Sequence, residues 1–320
     1  VSEVLERARH LGIVVREGVP LGERTTYRVG GAGRYGVVIE TPGDVARVAE
    51  LVRACDLDVL VLGAGSNLLV SDRGYDGLVV ELGAGFGGLE RLEGTDVRLG
   101  GSLMLPVAAR RLAGLQLAGF AWAVGVPGSV GGAVRMNAGG HGGDMARVVR
   151  RVLVGDLRRG TLAERDVSEL GLGYRTSRVA PDEVVLSALL GLEPGDRAQL
   201  EQEMREVVRW RREHQPGGQN AGSVFVNPAE VPAARLIEEA GLRGRRLGSA
   251  QVSLKHANFI QADPGGSAGD VAALIELVAG EVERIFGIRL RAEVRLVGFG
   301  ASRSSASGAL GDGDAAPSSA

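Results

Sequence analysis

The stretch Asp58-Val59-Leu60-Val61-Leu62-Gly63-Ala64-Gly65-Ser66-Asn67 decides how this chain folds. Its apolar run, partly β-branched, predicts a buried strand that breaks off into a glycine loop. Upstream, residues 35–40 (Tyr-Gly-Val-Val-Ile-Glu) read as a second strand bounded by glycine. Between the two, Thr41-Pro42-Gly43-Asp44 opens a helix, with Thr41 as N-cap, Pro42 in the first turn and Asp44 closing a capping box. Val45, Val48, Ala49 and Val52 fall at helical spacing and give that helix one apolar face. The unit is βαβ-like. Residues 66–72 (Ser-Asn-Leu-Leu-Val-Ser-Asp) offer no long helix after the loop, so a diphosphate cannot sit at a helix N-terminus in the Rossmann manner. Two readings stay open for residues 63–67: a plain turn, or a nest of exposed N–H groups that takes phosphate without a helix dipole.

Two other glycine clusters compete with this loop. Residues 83–88 (Gly-Ala-Gly-Phe-Gly-Gly) follow a strand and match GxGxxG, but the chain reaches Gly94-Thr95 before a helix could form. They read as a glycine-rich turn and a decoy. Residues 125–133 and 136–142 are denser in glycine, which weakens strands and helices alike. Close approach of backbone to a ligand is a physical reason to keep so many. Loops at 63–67 and 125–142 could clamp one extended diphosphate cofactor between them.

The chain has 320 residues, 44% hydrophobic and 24% charged, a core-forming composition long enough for two or three domains. We divide it into residues 1–77, the βαβ-like unit; 78–194, a β-rich unit; 195–298, an α+β unit; and 299–320, a low-complexity tail expected to be disordered. In the second unit strands are expected at 78–82, 97–100, 151–156 and 184–190, with a helix near 105–117. The third begins with a helix at 196–213 and holds a long helix at 268–286, capped by Ser267 and Asp270. Lys+Arg 37 against Asp+Glu 39 removes the electrostatic case for a nucleic-acid partner. Cys55 is the sole cysteine, and the four histidines show no HExxH or CxxC spacing, so neither an internal disulfide nor a metal site is expected. Residues 112–134 lack charge for long enough to span a bilayer. Their glycines and Pro127 turn that stretch into buried loops and short strands instead. The N-terminus has no apolar secretion core, so a cytoplasmic protein without a membrane partner is expected.

Seven motifs then fall into a recognisable order: residues 25–31 (TTYRVGG), 59–77 (VLVLGAGSNLLVSDRGYDG), 125–139 (GVPGSVGGAVRMNAG), 173–177 (GYRTS), 221–228 (AGSVFVNP), 250–260 (AQVSLKHANFI) and 292–298 (AEVRLVG). Over about residues 10–298 the chain resembles the bacterial UDP-N-acetylenolpyruvoylglucosamine reductases. The resemblance implies an α+β protein with a vanillyl-alcohol-oxidase-type FAD-binding fold in two subdomains, followed by a C-terminal α+β substrate-binding domain. It implies FAD as cofactor, NADPH as co-substrate, and a monomer that reduces the enolpyruvyl ether of UDP-N-acetylglucosamine to UDP-N-acetylmuramate for peptidoglycan. Only 47 residues lie between Arg175 and Ser223, which resembles the subclass without an inserted substrate-capping loop.

The resemblance also assigns roles. Arg175 and Glu293 would stabilise the enolate formed when hydride adds to the vinyl carbon, and Ser223 would donate the proton. Taken alone, Arg175 is one of many surface arginines, Ser223 a strand-start serine and Glu293 an edge-strand carboxylate; their motif positions carry the assignment. A guanidinium fork suits a carboxylate. Glu293 can help an anion when protonated, so a raised pKa is expected there. Gly63, Gly65, Ser66 and Asn67, with Gly128, Ser129, Gly132, Ala133, Asn137 and Gly142, would hold FAD. Asn227, Arg211 or Arg212, and Lys255 (the lone lysine) would meet the substrate. His256 reads equally as a structural histidine or a ligand contact, and Cys55 as core. His141, Val226 and Leu254 depart from the commoner family residues Tyr, Lys and Glu, which bears on affinity more than on the reaction.

Overall fold

A computed structural model of the chain describes residues 3–300. The expected disorder of the tail falls, from residue 301 on, outside the described residues.

The first sheet runs in the order Val15–Val19, Gly33–Ile39, Tyr75–Leu82, Val59–Leu62; the last three strands are parallel and the first is antiparallel to its neighbour. The helix Asp44–Ala54 crosses over between Gly33–Ile39 and Val59–Leu62, burying Val45, Val48, Ala49, Leu51 and Val52. The two strands of that crossover do not pair. Tyr75–Leu82 lies between them, with Leu78, Val79 and Val80 fully buried. A parallel strand covered on both faces carries such a continuous apolar run. The boundary expected at 77/78 therefore cuts the central strand and is corrected: the first sheet extends through Leu82. The helix start differs too. Gly43 is its N-cap, and Asp44 instead accepts from the backbone N–H groups of Glu40 and Thr41 at 3.0 and 2.8 Å, fastening the turn before the helix.

The second sheet is antiparallel, in the order Leu162–Asp166, Val149–Asp156, Glu183–Gly191, Asp96–Gly100, Leu89–Arg91. The uncharged stretch 112–134 is more helical than expected. It contains the end of Leu105–Gly114, the 3-10 turn Ala121–Gly125 and most of the helix Val130–Met136, whose N-cap Ser129 accepts from the Gly132 N–H at 3.3 Å. Glycines 131 and 132 are tolerated because the capped helix is short and packed against the sheet. Among the described residues no helix is long and apolar enough to cross a membrane. The helix Arg197–His214 was expected to open the third unit, but Leu200, Met204 and Val207 join the second unit's core beside Phe120 and Trp122. One apolar stripe at helical spacing sends it there.

In the third unit, strands Arg246–Leu247, Ala250–Val252 and Ile260–Ala262 pack under the helix Ala268–Phe286, which buries Val271, Leu274, Ile275, Val278 and Val282. The first unit reaches into it. Tyr27, Val29 and Leu69 join the same core, and Arg295–Val297 pairs parallel with Leu68–Val70. Asp72 caps the long helix from outside, accepting from Ala268 N at 2.9 Å, Gly269 N at 3.0 Å and Ser267 Oγ at 2.7 Å. A carboxylate there satisfies orphan N–H groups and meets the positive end of the helix.

Candidate active site

The two glycine loops meet. A Cβ on Gly63 would lie 2.6 Å from Ser129 Oγ, and one on Gly128 would lie 3.4 Å from Ser66 Oγ. Gly65 has φ +64° and a Cβ there would meet the Arg24 carbonyl at 2.4 Å, so glycine is required on both counts. The backbone N–H groups of residues 64–67 have no acceptor among the described residues. They are free for an anion. The loops line two adjoining cavities of about 190 and 600 Å³, which share Gly63, Ala64, Ser129 and Gly132 in their walls. An extended dinucleotide such as FAD fits this arrangement: an apolar recess at Leu82, Val184 and Val185, a larger chamber beyond, and free N–H groups between.

Of the residues expected to hold FAD, Gly63, Gly65, Ser66, Asn67, Gly128, Ser129, Gly132 and Ala133 line the larger cavity. Asn137 and Gly142 are not in its wall. Asn137 is buried at φ +40°, where it ends the helix Val130–Met136; its Nδ2 donates to Gly173 O at 2.9 Å and its Oδ1 accepts from Ala146 N at 2.9 Å. Its polar atoms fasten the protein to itself, which corrects its assignment to the cofactor. Gly142, at φ +84°, forms a turn and accepts from Arg147.

Arg175, Ser223 and Glu293, remote in sequence, line the same larger cavity. Glu293 N–H donates to Val224 O at 2.7 Å and Val226 N–H to Arg291 O at 3.0 Å, so the Ser223 and Glu293 segments run side by side. Asn67 ties them to the nest: its Nδ2 donates to Glu293 O, and its own carbonyl accepts from Arg295 N, both at 3.0 Å. Arg175 has φ +56°, a region non-glycine residues rarely occupy, at the tip of the turn bridged by Gly173 and Thr176. Its guanidinium compensates, with Nη2 donating to Gly139 O at 2.9 Å, Nη1 to Asn137 O at 3.4 Å, and Nε 3.0 Å from Glu293 Oε1. A guanidinium has five N–H bonds, so two remain for a ligand. Burial raises the Glu293 pKa above the ordinary value, against the lowering pull of Arg175 and Arg291. The Ser223 hydroxyl has no hydrogen-bond partner among the described residues.

The substrate-contact expectations divide. Arg211 lines the cavity without an ion-pair partner among the described residues, and burial lowers its pKa. Arg212 is exposed outside it, and its carbonyl accepts from Lys255 Nζ at 2.6 Å. That bond makes Lys255 a fastener of the helix end. Asn227 is exposed and outside the wall as well: its Oδ1 accepts from Ala233 N at 3.0 Å, at the start of the helix Ala233–Glu239, and its Nδ2 lies 3.4 Å from Tyr174 Oη. His256 is structural, its Nδ1 accepting from Asn258 N at 3.2 Å and its ring set edge-on to Phe259. Cys55 packs at the margin of the first core. Among the departures, His141 reaches the cavity, Val226 is buried and Leu254 is exposed outside the cavity wall.

Sequence reading missed Arg135, Arg295 and Trp210 in the cavity wall. Arg295 carried a signal, since in extended chain it faces the same side as Glu293 two residues earlier. Arg135 carried none.

The comparisons with known proteins agree with this geometry. Residues 13–164 match the FAD binding domain family, and residues 214–297 match the family described as UDP-N-acetylenolpyruvoylglucosamine reductase, C-terminal domain. UDP-N-acetylenolpyruvoylglucosamine reductase 2 of Symbiobacterium thermophilum is 43% identical over 288 residues, 89% of this chain and 92% of that protein. The reductase of Bacillus subtilis is 38% identical over 284 residues, 87% of this chain and 92% of its own. The crystal structure of the reductase from Thermus caldophilus aligns with a TM-score of 0.77 at 35% identity, over 89% of this chain and 100% of that one. With whole-length relatives above the threshold of chance likeness, and the expected α+β FAD-binding architecture in place, the chain belongs to the UDP-N-acetylenolpyruvoylglucosamine reductase family.

Proposed function

We propose that this protein reduces UDP-N-acetylenolpyruvoylglucosamine to UDP-N-acetylmuramate in peptidoglycan precursor synthesis, as a cytoplasmic monomer using FAD and NADPH. The observation that carries the proposal is one cavity lined by both the glycine cradle and the residues Arg175, Ser223 and Glu293. The first two units hold the cofactor through the cradle residues, and the third brings Ser223 and Glu293 to it.

FAD held by the cradle residues Gly63, Gly65, Ser66, Asn67, Gly128, Ser129, Gly132 and Ala133 would supply hydride chemistry from its N5 atom, with NADPH as the source of electrons. Hydride addition to the terminal vinyl carbon leaves negative charge on the carbon beside the substrate carboxylate. Arg175 directs its two uncommitted N–H bonds at that carboxylate. The same carboxylate competes with Glu293 for the guanidinium and adds a like charge nearby, which drives the Glu293 pKa further up and favours its protonated form. Protonated Glu293 then donates a hydrogen bond to the developing anion. Ser223, whose hydroxyl is uncommitted, gives its proton to the carbon. A serine is a poor acid in water and needs this partly buried placement against a strong base. Arg211, farther along the cavity, meets the diphosphate of the nucleotide sugar.

The test separates the half-reactions under anaerobic conditions. In the Ser223→Ala variant NADPH should bleach the flavin band as in wild type, and added UDP-N-acetylenolpyruvoylglucosamine should fail to restore it. Normal recovery in that variant would remove Ser223 as the acid. Failure of wild-type flavin to recover would remove the substrate assignment.

A further inference from the structure

Two arginines in the cavity have no role in the reaction above. Arg135, near the end of the helix Val130–Met136, and Arg295, at the start of Arg295–Val297, both line the smaller and the larger cavity. They share that position with Gly63, Ala64, Ser129 and Gly132 of the cradle. Neither guanidinium has a hydrogen bond or an ion pair among the described residues. Glu183 stands in the wall of the smaller cavity but is already engaged: Arg165 Nη1 lies 3.0 Å from its Oε2, Arg165 Nη2 meets its Oε1, and Ala180 N–H donates to Oε2 at 2.7 Å. Partial burial, aided by the Arg295 charge, pushes Arg135 down to about 10, and burial lowers Arg295 as well. Glu183 and Asp182 offset part of the Arg135 charge from a distance, but neither pairs with Arg135 or Arg295 among the described residues, and an anion bound beside both guanidinium groups would offset the remaining cost of burying like charges.

We infer that Arg135 and Arg295 form a cationic post for the diphosphate of the bound dinucleotide, at the junction of the two cavities. The inference rests on FAD occupying those cavities. A dinucleotide with one ring system in each cavity must pass its linker through the junction. Oxidised FAD is neutral in both ring systems and carries its two negative charges on the diphosphate, which matches two guanidinium groups. The free N–H groups of residues 64–67 then supply neutral donors and the arginines supply charge, a division that lets the nest stay free of basic side chains.

The experiment titrates full-length protein, freed of its flavin, with FAD and with riboflavin, following quenching of flavin fluorescence across a range of salt concentrations. Arg135→Gln and Arg295→Gln should each weaken FAD by about tenfold, the size of one charge-assisted contact. Both should flatten the salt dependence of FAD binding and leave riboflavin binding unchanged. Arg135→Lys, which keeps the charge, should retain most of the FAD affinity. Unchanged FAD affinity and salt dependence in the Gln variants would overturn the inference. Equal weakening of riboflavin would overturn it too, by moving the pair to the ring or to packing, as would a Lys variant no better than Gln. A wild-type chain that binds neither flavin would sink the cofactor reading itself, and this inference with it.

Discussion

Residues 63–67 and residues 83–88 are both glycine loops that leave the ends of neighbouring parallel strands in one sheet. By pattern, the second is the better nucleotide motif. In space it is closed. Gly83 N–H donates to Ile39 O at 2.8 Å, Phe86 N–H to Gly83 O at 3.2 Å and Gly87 N–H to Ala84 O at 3.0 Å. The Glu40 carboxylate fills the remaining space, accepting from Gly85 N–H at 3.4 Å. A phosphate would meet spent donors and a negative charge. The first loop has free N–H groups and an open cavity. An anion site is made by unspent donors and room, which a glycine count does not report.

The comparison can be broken most forcefully at Gly65. A Gly65→Val side chain must adopt φ +64° and displace the Arg24 carbonyl, at a cost of about 3 kcal/mol, roughly a hundredfold in FAD affinity. Flavin content of the purified protein reads this directly. Glu293, hydrogen-bonded through its carbonyl to Asn67 at the rim of the same loop, should give the next largest effect. Its raised pKa keeps the proton to higher pH, so substrate reduction should fall as pH rises through that value. Glu293→Gln, a permanent donor, should lower the rate by about tenfold and abolish that alkaline limb in the pH profile of flavin reoxidation.

A smaller effect is expected at Asp72, which holds the third unit against the strand that follows the nest. Burial raises its pKa, but the Gly269 N–H, the Ser267 hydroxyl and the Ala268 N–H outweigh that and leave it below the ordinary carboxylate value. Its stabilisation is present above that ordinary value and is lost as pH falls through the lowered one. Asp72→Ala should cost about 1–2 kcal/mol by denaturant unfolding, as removal of a helix cap does. The smallest effect sharpens the contrast. Gly88→Ala has no neighbour within 4 Å and no positive φ, so it should change neither flavin content nor stability measurably.

Much of the fold was legible where neighbours in sequence are neighbours in space. The Asp44–Ala54 helix, the Val59–Leu62 strand and the Ser267 cap of Ala268–Phe286 follow from spacing and capping chemistry within a few residues. The errors lie where a distant segment intervenes. Tyr75–Leu82 inserted itself between the strands of the βαβ unit, and Arg197–His214 joined the second core. Asn137 looked like a cofactor ligand in its motif, yet Gly173 and Ala146 occupy its amide.

By itself, then, the sequence determined the strand–helix–strand–loop pattern of residues 35–67, the motifs in which Arg175 and Ser223 stand, and the helices with strong caps. Those rest on dihedral preference and on contacts within one or two turns of chain. Tertiary structure alone decided which glycine loop kept its N–H groups free, because Glu40 closes one loop from the neighbouring strand's end and nothing closes the other. It also decided that Arg135 and Arg295, 160 residues apart, line the same two cavities with no ion pair of their own among the described residues. Through-space charge and hydrogen-bond occupancy depend on every segment that packs nearby, and no local pattern carries them.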